Sequence, residues 1–229
     1  MAKLVLIATP LGNLGDLSPR AAEALKSADR WFVEDSRVSG KLASYLGIKK
    51  SMIAVNEHTA PEHIESLVKA IDDDETVALI SDAGSPVVSD PGALVVDAAV
   101  RLGVDVESVP GPSAVTMALT LSGFFGQRFV FLGFLGRKQG DVRKEMEPFI
   151  ESPLTIVLFE SPHRIEKLLE WSAEIFGPRR FALCRELTKL HEQVWRGTLG
   201  DKVPANVPLK GEMTLVIEGR RRHKSVHSD

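Results

Sequence analysis

Short apolar runs alternate with longer stretches of helical period through the first half of the chain. Residues 4–8, 31–34, 52–55, 77–80 and 106–109 are short runs carrying apolar residues, bounded by polar or glycine-containing segments, which predicts five strands. Amphipathic patterns fill most of the gaps. After Asp90-Pro91, the residues Leu94, Val95, Ala98, Ala99 and Leu102 recur on one helical face, and Gly103 is placed to stop the helix. Ser18-Pro19, Asp90-Pro91 and Ser161-Pro162 each put a capping oxygen before a proline suited to a first helical turn. Alternation of this kind predicts a mostly parallel sheet covered on both faces.

The segment SGFFGQRF, residues 122–129, breaks this rhythm with glycines and two adjacent aromatics, and a domain boundary is expected there. Beyond it, 129–133, 155–159, 180–185, 193–198 and 213–218 read as strands with about two helices among them. The expected division is an N-terminal α/β domain over 1–123, a smaller C-terminal α+β domain with a mixed sheet over 124–219, and a basic tail over 220–229. The tail lacks apolar period and is read as frayed. The charge-dense stretch RKQGDVRKEME, 137–147, reads as a solvated helix face, with RNA contact as the other reading. No internal repeat is visible.

Composition narrows the classes. With 229 residues and 44% hydrophobic content the chain can bury two real cores. A formal net charge of -3 argues against a strongly basic polyanion-binding protein, so any RNA contact must come from local patches. The single cysteine, Cys184, forms no internal disulfide and no cysteine-rich metal site, which suits a reducing compartment. No apolar run approaches the roughly 18 residues that span a bilayer, and Met1-Ala2-Lys3 leads straight into a strand; a cytoplasmic location away from membranes is expected.

Several chemistries fail on spacing. The loop Gly12-Asn13-Leu14-Gly15 is no G-x-G-x-x-G, and Gly40-Lys41 lacks both the upstream glycine and the following Ser or Thr of a phosphate loop. His191-Glu192 has no second histidine, His58 and His63 are spaced poorly for one helix face, and no metal is expected. GPSAV at 111–115 and GSPVV at 84–88 lack the last glycine of a nucleophile elbow.

What remains is a set of loops at predicted strand ends: TPLGNLGD (9–16), EDSRVSGK (34–41), NEH (56–58), SDAGSPVVSDPG (81–92) and PGPSAV (110–115). In a parallel sheet all five lie along the carboxyl edge, where ligands bind. Each alone has a bland reading as a tight turn or a cap; together they describe a cleft.

These loops, NEH excepted, with LFESPHRI, RELTKLHEQVWRGTLGD and KGEMTLVIEG, resemble the tetrapyrrole methylase superfamily from about residue 4 to residue 219. Within it they are similar to the branch that methylates a cytidine ribose 2′-oxygen in the decoding centre of 16S ribosomal RNA. The resemblance implies a class III methyltransferase with S-adenosyl-L-methionine folded into a cleft between two α/β domains, working as a homodimer on ribosomal RNA or the small ribosomal subunit. Carried over by position, Leu11 and Gly12 flank the donor; Asp82, Ala83, Gly84 and Val87 hold its methionine part and sulfur region; Ser113 and Ala114 close that side. Phe159, Leu187, Met213 and Thr214 surround the adenine. The opening glycine loop then meets no phosphate, because this donor has none.

Methyl transfer is an in-line displacement at an already activated carbon, so alignment and exclusion of water do most of the work. The ribose hydroxyl needs a proton acceptor. Glu34, Asp35, Glu57, His58 and Glu186 lie on polar loops, and the pair Glu34-Asp35 is the first choice, with Glu57 beside it. Asp35, Arg37 and Lys41 can position an RNA backbone, and His163 and Arg164 can line its entrance. The competing readings are an Asp35–Arg37 structural ion pair and a plain helix start at SPHR.

Two departures from the family pattern stand out. Longer members continue into a helical C-terminal extension, whereas RRRHKSVHSD follows Gly219 here, and the family's His-Asn-Glu loop reads Asn56-Glu57-His58. Two other functions stay open. One is a tetrapyrrole or precorrin methyltransferase, whose relatives carry a GxGPGD-like first loop; the other is an idle donor- and RNA-binding ribosome assembly factor.

Overall fold

A computed structural model describes residues 1–204 and 207–221. The chain divides into two compact units, Met1–Ser113 and Ala114–Asp229. The division falls before the helix Ala114–Ser122 rather than after it at 123/124, because that helix packs on strands of the second unit's sheet. The expected tail over 220–229 lies, beyond Arg221, outside the described residues.

In the first unit the strands are β1 (Lys3–Ile7), β2 (Arg30–Val33), β3 (Ser51–Ala54), β4 (Thr76–Ile80) and β5 (Asp105–Val109), and the helices are α1 (Pro19–Ser27), α2 (Ser36–Tyr45), α3 (Pro61–Lys69) and α4 (Gly92–Arg101). All five strands pair in parallel in the order β3-β2-β4-β1-β5. Alternate residues serve opposite faces, as the period of two requires. Val5, Ile7, Trp31, Val33, Ala78 and Ile80 pack with α1 and α2. Leu4, Phe32, Val77 and Leu79 pack with α3 and α4. The inner strands β2, β4 and β1, covered on both sides, are near-continuously apolar, while the edge strands β3 and β5 keep exposed positions.

Ser18 caps α1 by accepting the Ala21 N–H at 3.1 Å, and Pro19 occupies the first turn. The expected apolar face of α4 is narrower than drawn. Val95, Ala98 and Ala99 are buried, whereas Leu94, a step to the side of that stripe, and Leu102, the C-cap residue beyond the helix end, are exposed.

The second unit holds α5 (Ala114–Ser122), β6 (Phe129–Phe134), α6 (Gln139–Met146), β7 (Thr155–Glu160), α7 (Ile165–Phe176), β8 (Arg180–Arg185), β9 (Gln193–Thr198) and β10 (Met213–Ile217). The sheet order is β6-β7-β10-β8-β9, with β6 parallel to β7 and every other pair antiparallel. Ile156, Leu158, Leu215 and Ile217 point into one core with Leu168 and Leu169 of α7 and Met146 of α6. On α6 only Val142 and Met146 are buried, so the 137–147 stretch presents a mostly solvated helix face. Ser161-Pro162 does not open α7 directly. The Ser161 carbonyl accepts the N–H groups of Arg164 and Ile165 at 3.1 Å each, making a turn before the helix starts at Ile165.

Candidate functional site

β4 and β1 are neighbours whose chains leave in opposite directions, β1 toward β2 through α1 on one face and β4 toward β5 through α4 on the other. Such a switch point opens a crevice at the carboxyl ends of the strands. Here the two loops are clamped: Thr9 N–H donates to the Gly84 carbonyl at 2.9 Å and Gly84 N–H to the Thr9 carbonyl at 3.0 Å. The buried Thr9 hydroxyl donates to the Ser81 carbonyl at 3.2 Å. The loop after β5 joins them, since Ser85 Oγ donates to the Pro112 carbonyl at 3.4 Å.

Glycine is needed at the centre of this knot. Gly84 has φ +82°, and a Cβ there would stand 3.0 Å from Leu11 Cδ2. Leu11 is buried against it, whereas Gly12 and Ala83 are exposed. Val87 adopts φ 79° and Ser89 φ 61°; for a β-branched residue this left-handed conformation costs about 1–3 kcal/mol, so the 82–92 loop is held in a set shape against its own preference. Leu11, Asp82, Ala83, Gly84 and Val87 thus belong to one edge of the first unit, and Ser113 ends that unit's last loop. Ala114 is the first residue of α5 in the second unit.

Carboxylates gather on the same edge. Asp35 N–H donates to Asp82 Oδ1 at 3.1 Å, and Asp82 N–H donates to Glu34 Oε2 at 3.4 Å, which joins the ends of β2 and β4. Burial pushes the Glu34 carboxyl above its ordinary range, and the charges of Asp82, Asp90 and Glu57 push it further. Asp82 is raised too, again mainly by burial. Asp35 goes the other way, to about 2, because the Arg37 guanidinium forks onto it at 3.0 Å (Nε–Oδ1) and 2.5 Å (Nη2–Oδ2). Asp35 also caps α2 by accepting the Arg37 N–H at 2.8 Å. The ion-pair reading of Asp35 and Arg37 is therefore realised, with the Arg37 side chain still 87% exposed. Lys41 is exposed one turn along α2. Glu57 is exposed and stands 3.7 Å from His58 Nε2. Asp90 accepts the Gly92 N–H at 2.7 Å through Oδ1, while its buried Oδ2 has no partner among the described residues.

The second unit gathers its own group at one end of its sheet. Thr214 lies opposite Phe159 across β10 and β7, Met213 lies opposite Arg185 of β8, and Leu187 follows β8 by two residues. Leu187, Met213 and Thr214 are buried. The turn is set by Glu186 at φ 50° and Thr188 at φ 67°. Glu186 Oε1 accepts the Glu212 N–H at 2.9 Å and Lys189 Nζ at 3.1 Å. That hydrogen bond from Glu212, then the lysine, hold the Glu186 carboxyl below its usual range, which marks it as a turn fastener rather than a base. Arg164 donates to the carbonyls of Leu135 and Gly136 at 3.2 and 2.7 Å and pairs with buried Glu160 at 3.2 Å; His163 beside it is exposed.

Sequence reading passed over two aromatics here. The rings of Phe131 and Phe134 approach Phe159 at 4.9 and 5.5 Å, and Phe134 is 61% exposed. Three residues apart, they would face opposite sides of a regular strand; the register irregularity between them in the β6–β7 pairing brings both to Phe159, and no strand period announces it. Among the described residues no group of His, Cys, Asp and Glu is arranged to hold a metal ion, and no helix is long and apolar enough to cross a membrane.

Comparison with known proteins agrees with this architecture. Residues 3–203 match the family described as Tetrapyrrole (Corrin/Porphyrin) Methylases. A Thermotoga maritima protein named Ribosomal RNA small subunit methyltransferase I is 38% identical over 96% of this chain and 100% of its own length. The Mycobacterium tuberculosis protein of that name is 41% identical over 99% of this chain and 81% of its own, and the Bacillus subtilis one 38% identical over 96% and 76%. Among solved structures, the methyltransferase CobJ superposes with TM-score 0.72 at 15% identity, covering 97% of both chains. Diphthine synthase gives 0.72 at 19%, covering 95% of this chain and 90% of that one, a likeness of fold. The parallel sheet with its clamped loops, the mixed second sheet and this match over most of the length lead to one assignment: the chain belongs to the tetrapyrrole (corrin/porphyrin) methylase family of methyltransferases, alongside the proteins named ribosomal RNA small subunit methyltransferase I.

Proposed function

We propose that this methyltransferase uses S-adenosyl-L-methionine to methylate the 2′-hydroxyl of a cytidine ribose in the decoding centre of 16S ribosomal RNA, as a homodimer in the cytoplasm. The observation that carries the reading is the 38–41% identity to proteins named for small-subunit ribosomal RNA methylation, across nearly all of this chain.

The residues fit such a donor. Gly84, at φ +82°, lets its loop close against Leu11, and the exposed Ala83 beside it presents only a methyl group. Leu11, Gly12, Asp82, Ala83, Gly84, Val87, Ser113 and Ala114 would receive the methionine end. Phe159, Leu187, Met213 and Thr214, grouped at one sheet end, would receive the adenine. When bound, the donor supplies a methyl group on a sulfonium.

This chain's part is to orient and to take a proton. Glu34 is the better base of the acidic pair, since burial raises its carboxyl toward neutrality while Arg37 keeps Asp35 ionised and weakly basic. Arg37 and Lys41, on the exposed face of α2, would hold phosphates near it. His163 would add to the RNA entrance, with Arg164 fixing the turn that presents it.

The deciding experiment is transfer of labelled methyl from S-adenosylmethionine to small subunits from cells lacking the gene, with nuclease mapping of the product. Label on one ribose 2′-oxygen of the decoding region is expected. Donor binding without label on any ribosomal RNA overturns the acceptor assignment.

A further inference from the structure

Two stretches without a role in the site above, SGFFGQRF at 122–129 and the arginines after β10, meet in the second unit. The Arg221 guanidinium lies over the Phe125 ring at 5.5 Å, and Arg180 lies over Phe124 at 5.1 Å. Beside them opens a cavity of about 720 Å³ whose walls include Phe125, Arg128, Glu151, Glu218, Arg220 and Arg221. Thr155 also lines it, so it lies at the other end of β7 from Phe159.

The charge is unbalanced. Glu218 is shared by Arg180, at 2.7 and 2.5 Å, and Arg221, at 2.5 Å, while Glu151 holds Arg220. Arg128 has no ion pair or hydrogen bond among the described residues and is exposed. Arginine forks with donors to spare suit phosphate oxygens. Phe125 is 63% exposed, an open aromatic face beside those cations. Aromatic faces interleaved with cations in a groove are what an unpaired nucleotide strand uses, bases on the rings and backbone on the guanidinium groups.

We infer that this surface binds a segment of single-stranded RNA, with phosphates on Arg128, Arg220 and Arg221 and one base against Phe125. It anchors the substrate at the end of the second unit's sheet opposite Phe159, and so rests on RNA being the substrate.

The test titrates fluorescent oligouridine and small ribosomal subunits with the full chain and with the variants Phe125→Ala and Arg128→Gln. Donor affinity and methyl incorporation are followed in parallel. Expected are oligouridine binding weakened about tenfold by Phe125→Ala and about fivefold by Arg128→Gln, with a salt slope shallower by about 0.7 in the latter. KM for subunits should rise while kcat and donor affinity hold. Wild-type oligouridine affinity in both variants overturns the site. Subunit binding lost while oligouridine binding holds overturns it equally, since the surface then docks on a ribosomal protein. A chain that binds oligouridine through these residues yet methylates no ribosomal RNA supports the surface and sinks the proposed reaction, so the two failures are distinct.

Discussion

Thr9 and Gly84 exchange both backbone hydrogen bonds, at 2.9 and 3.0 Å, so the loops after β1 and β4 move as one body. Such a clamp keeps the crevice between two adjacent strands in one shape before any ligand arrives, which lowers the cost of ordering it on binding.

Gly84→Val attacks that clamp twice. A valine resists φ +82°, and its Cβ would press on Leu11. The expected outcome is a loss of about 1–3 kcal/mol in stability, read by denaturant unfolding, and donor binding too weak to detect by calorimetry. Undiminished donor affinity in a folded variant would remove this loop from the donor site.

Glu34→Gln should reduce methyl transfer by about 10²–10⁴-fold with donor affinity intact, and should flatten the acidic limb of the rate profile. The stability effect has the opposite sign. A carboxyl whose folded pKa is raised favours the fold below its unfolded value, 4.5 here, and loses that contribution as pH rises through the folded value. Above that window the glutamine variant should be slightly more stable than wild type, by less than about 1 kcal/mol because the group is part-exposed. Full activity in the variant would hand the base role to another group.

Arg37→Ala should weaken RNA binding several-fold and leave donor affinity alone. It should also release Asp35 from about 2 back toward its ordinary 3.8, visible in a carboxyl NMR titration. In the native protein Asp35 favours the fold above 3.8, and that preference is lost as pH falls toward about 2; in the variant, whose folded pKa moves back toward the unfolded one, most of that preference should be absent at every pH. Weaker donor binding with RNA affinity retained would move Arg37 to the donor pocket.

Cys184, on β8, is buried beneath α5, where burial pushes its thiol up to about 12, and its Sγ lies 3.9 Å from the Ala118 carbonyl. It should resist a disulfide reagent at neutral pH and react only when the second unit opens. Rapid labelling of the native protein would contradict its placement.

β1, β2, β4, β7, β8 and β10 could be read from apolar runs because they are largely buried, whereas β3, β5, β6 and β9 are part-exposed and were marked by short apolar or β-branched and aromatic stretches between polar segments; Ser18-Pro19 announced α1 through its cap. What escaped was long-range. Nothing near residue 114 says that α5 packs on β8 and β10, and no periodicity reports that Asp82 lies against Glu34 and Asp35. Arg164 looked like an RNA contact because sequence cannot show a side chain spent on the carbonyls of Leu135 and Gly136. The loops themselves were legible, since glycines and capping carboxylates leave their own punctuation.

β1 is the earliest strand of its sheet in the chain, yet it sits between β4 and β5, with Leu4 opposite Val77 and Val106. On a ribosome making this protein, an interior strand therefore emerges first and waits for partners some seventy to a hundred residues behind it. Until Val109 has cleared the exit tunnel, at least one edge of β1 stays bare, so this half of the molecule gains its cooperative fold late in synthesis and is most exposed to chaperones before then.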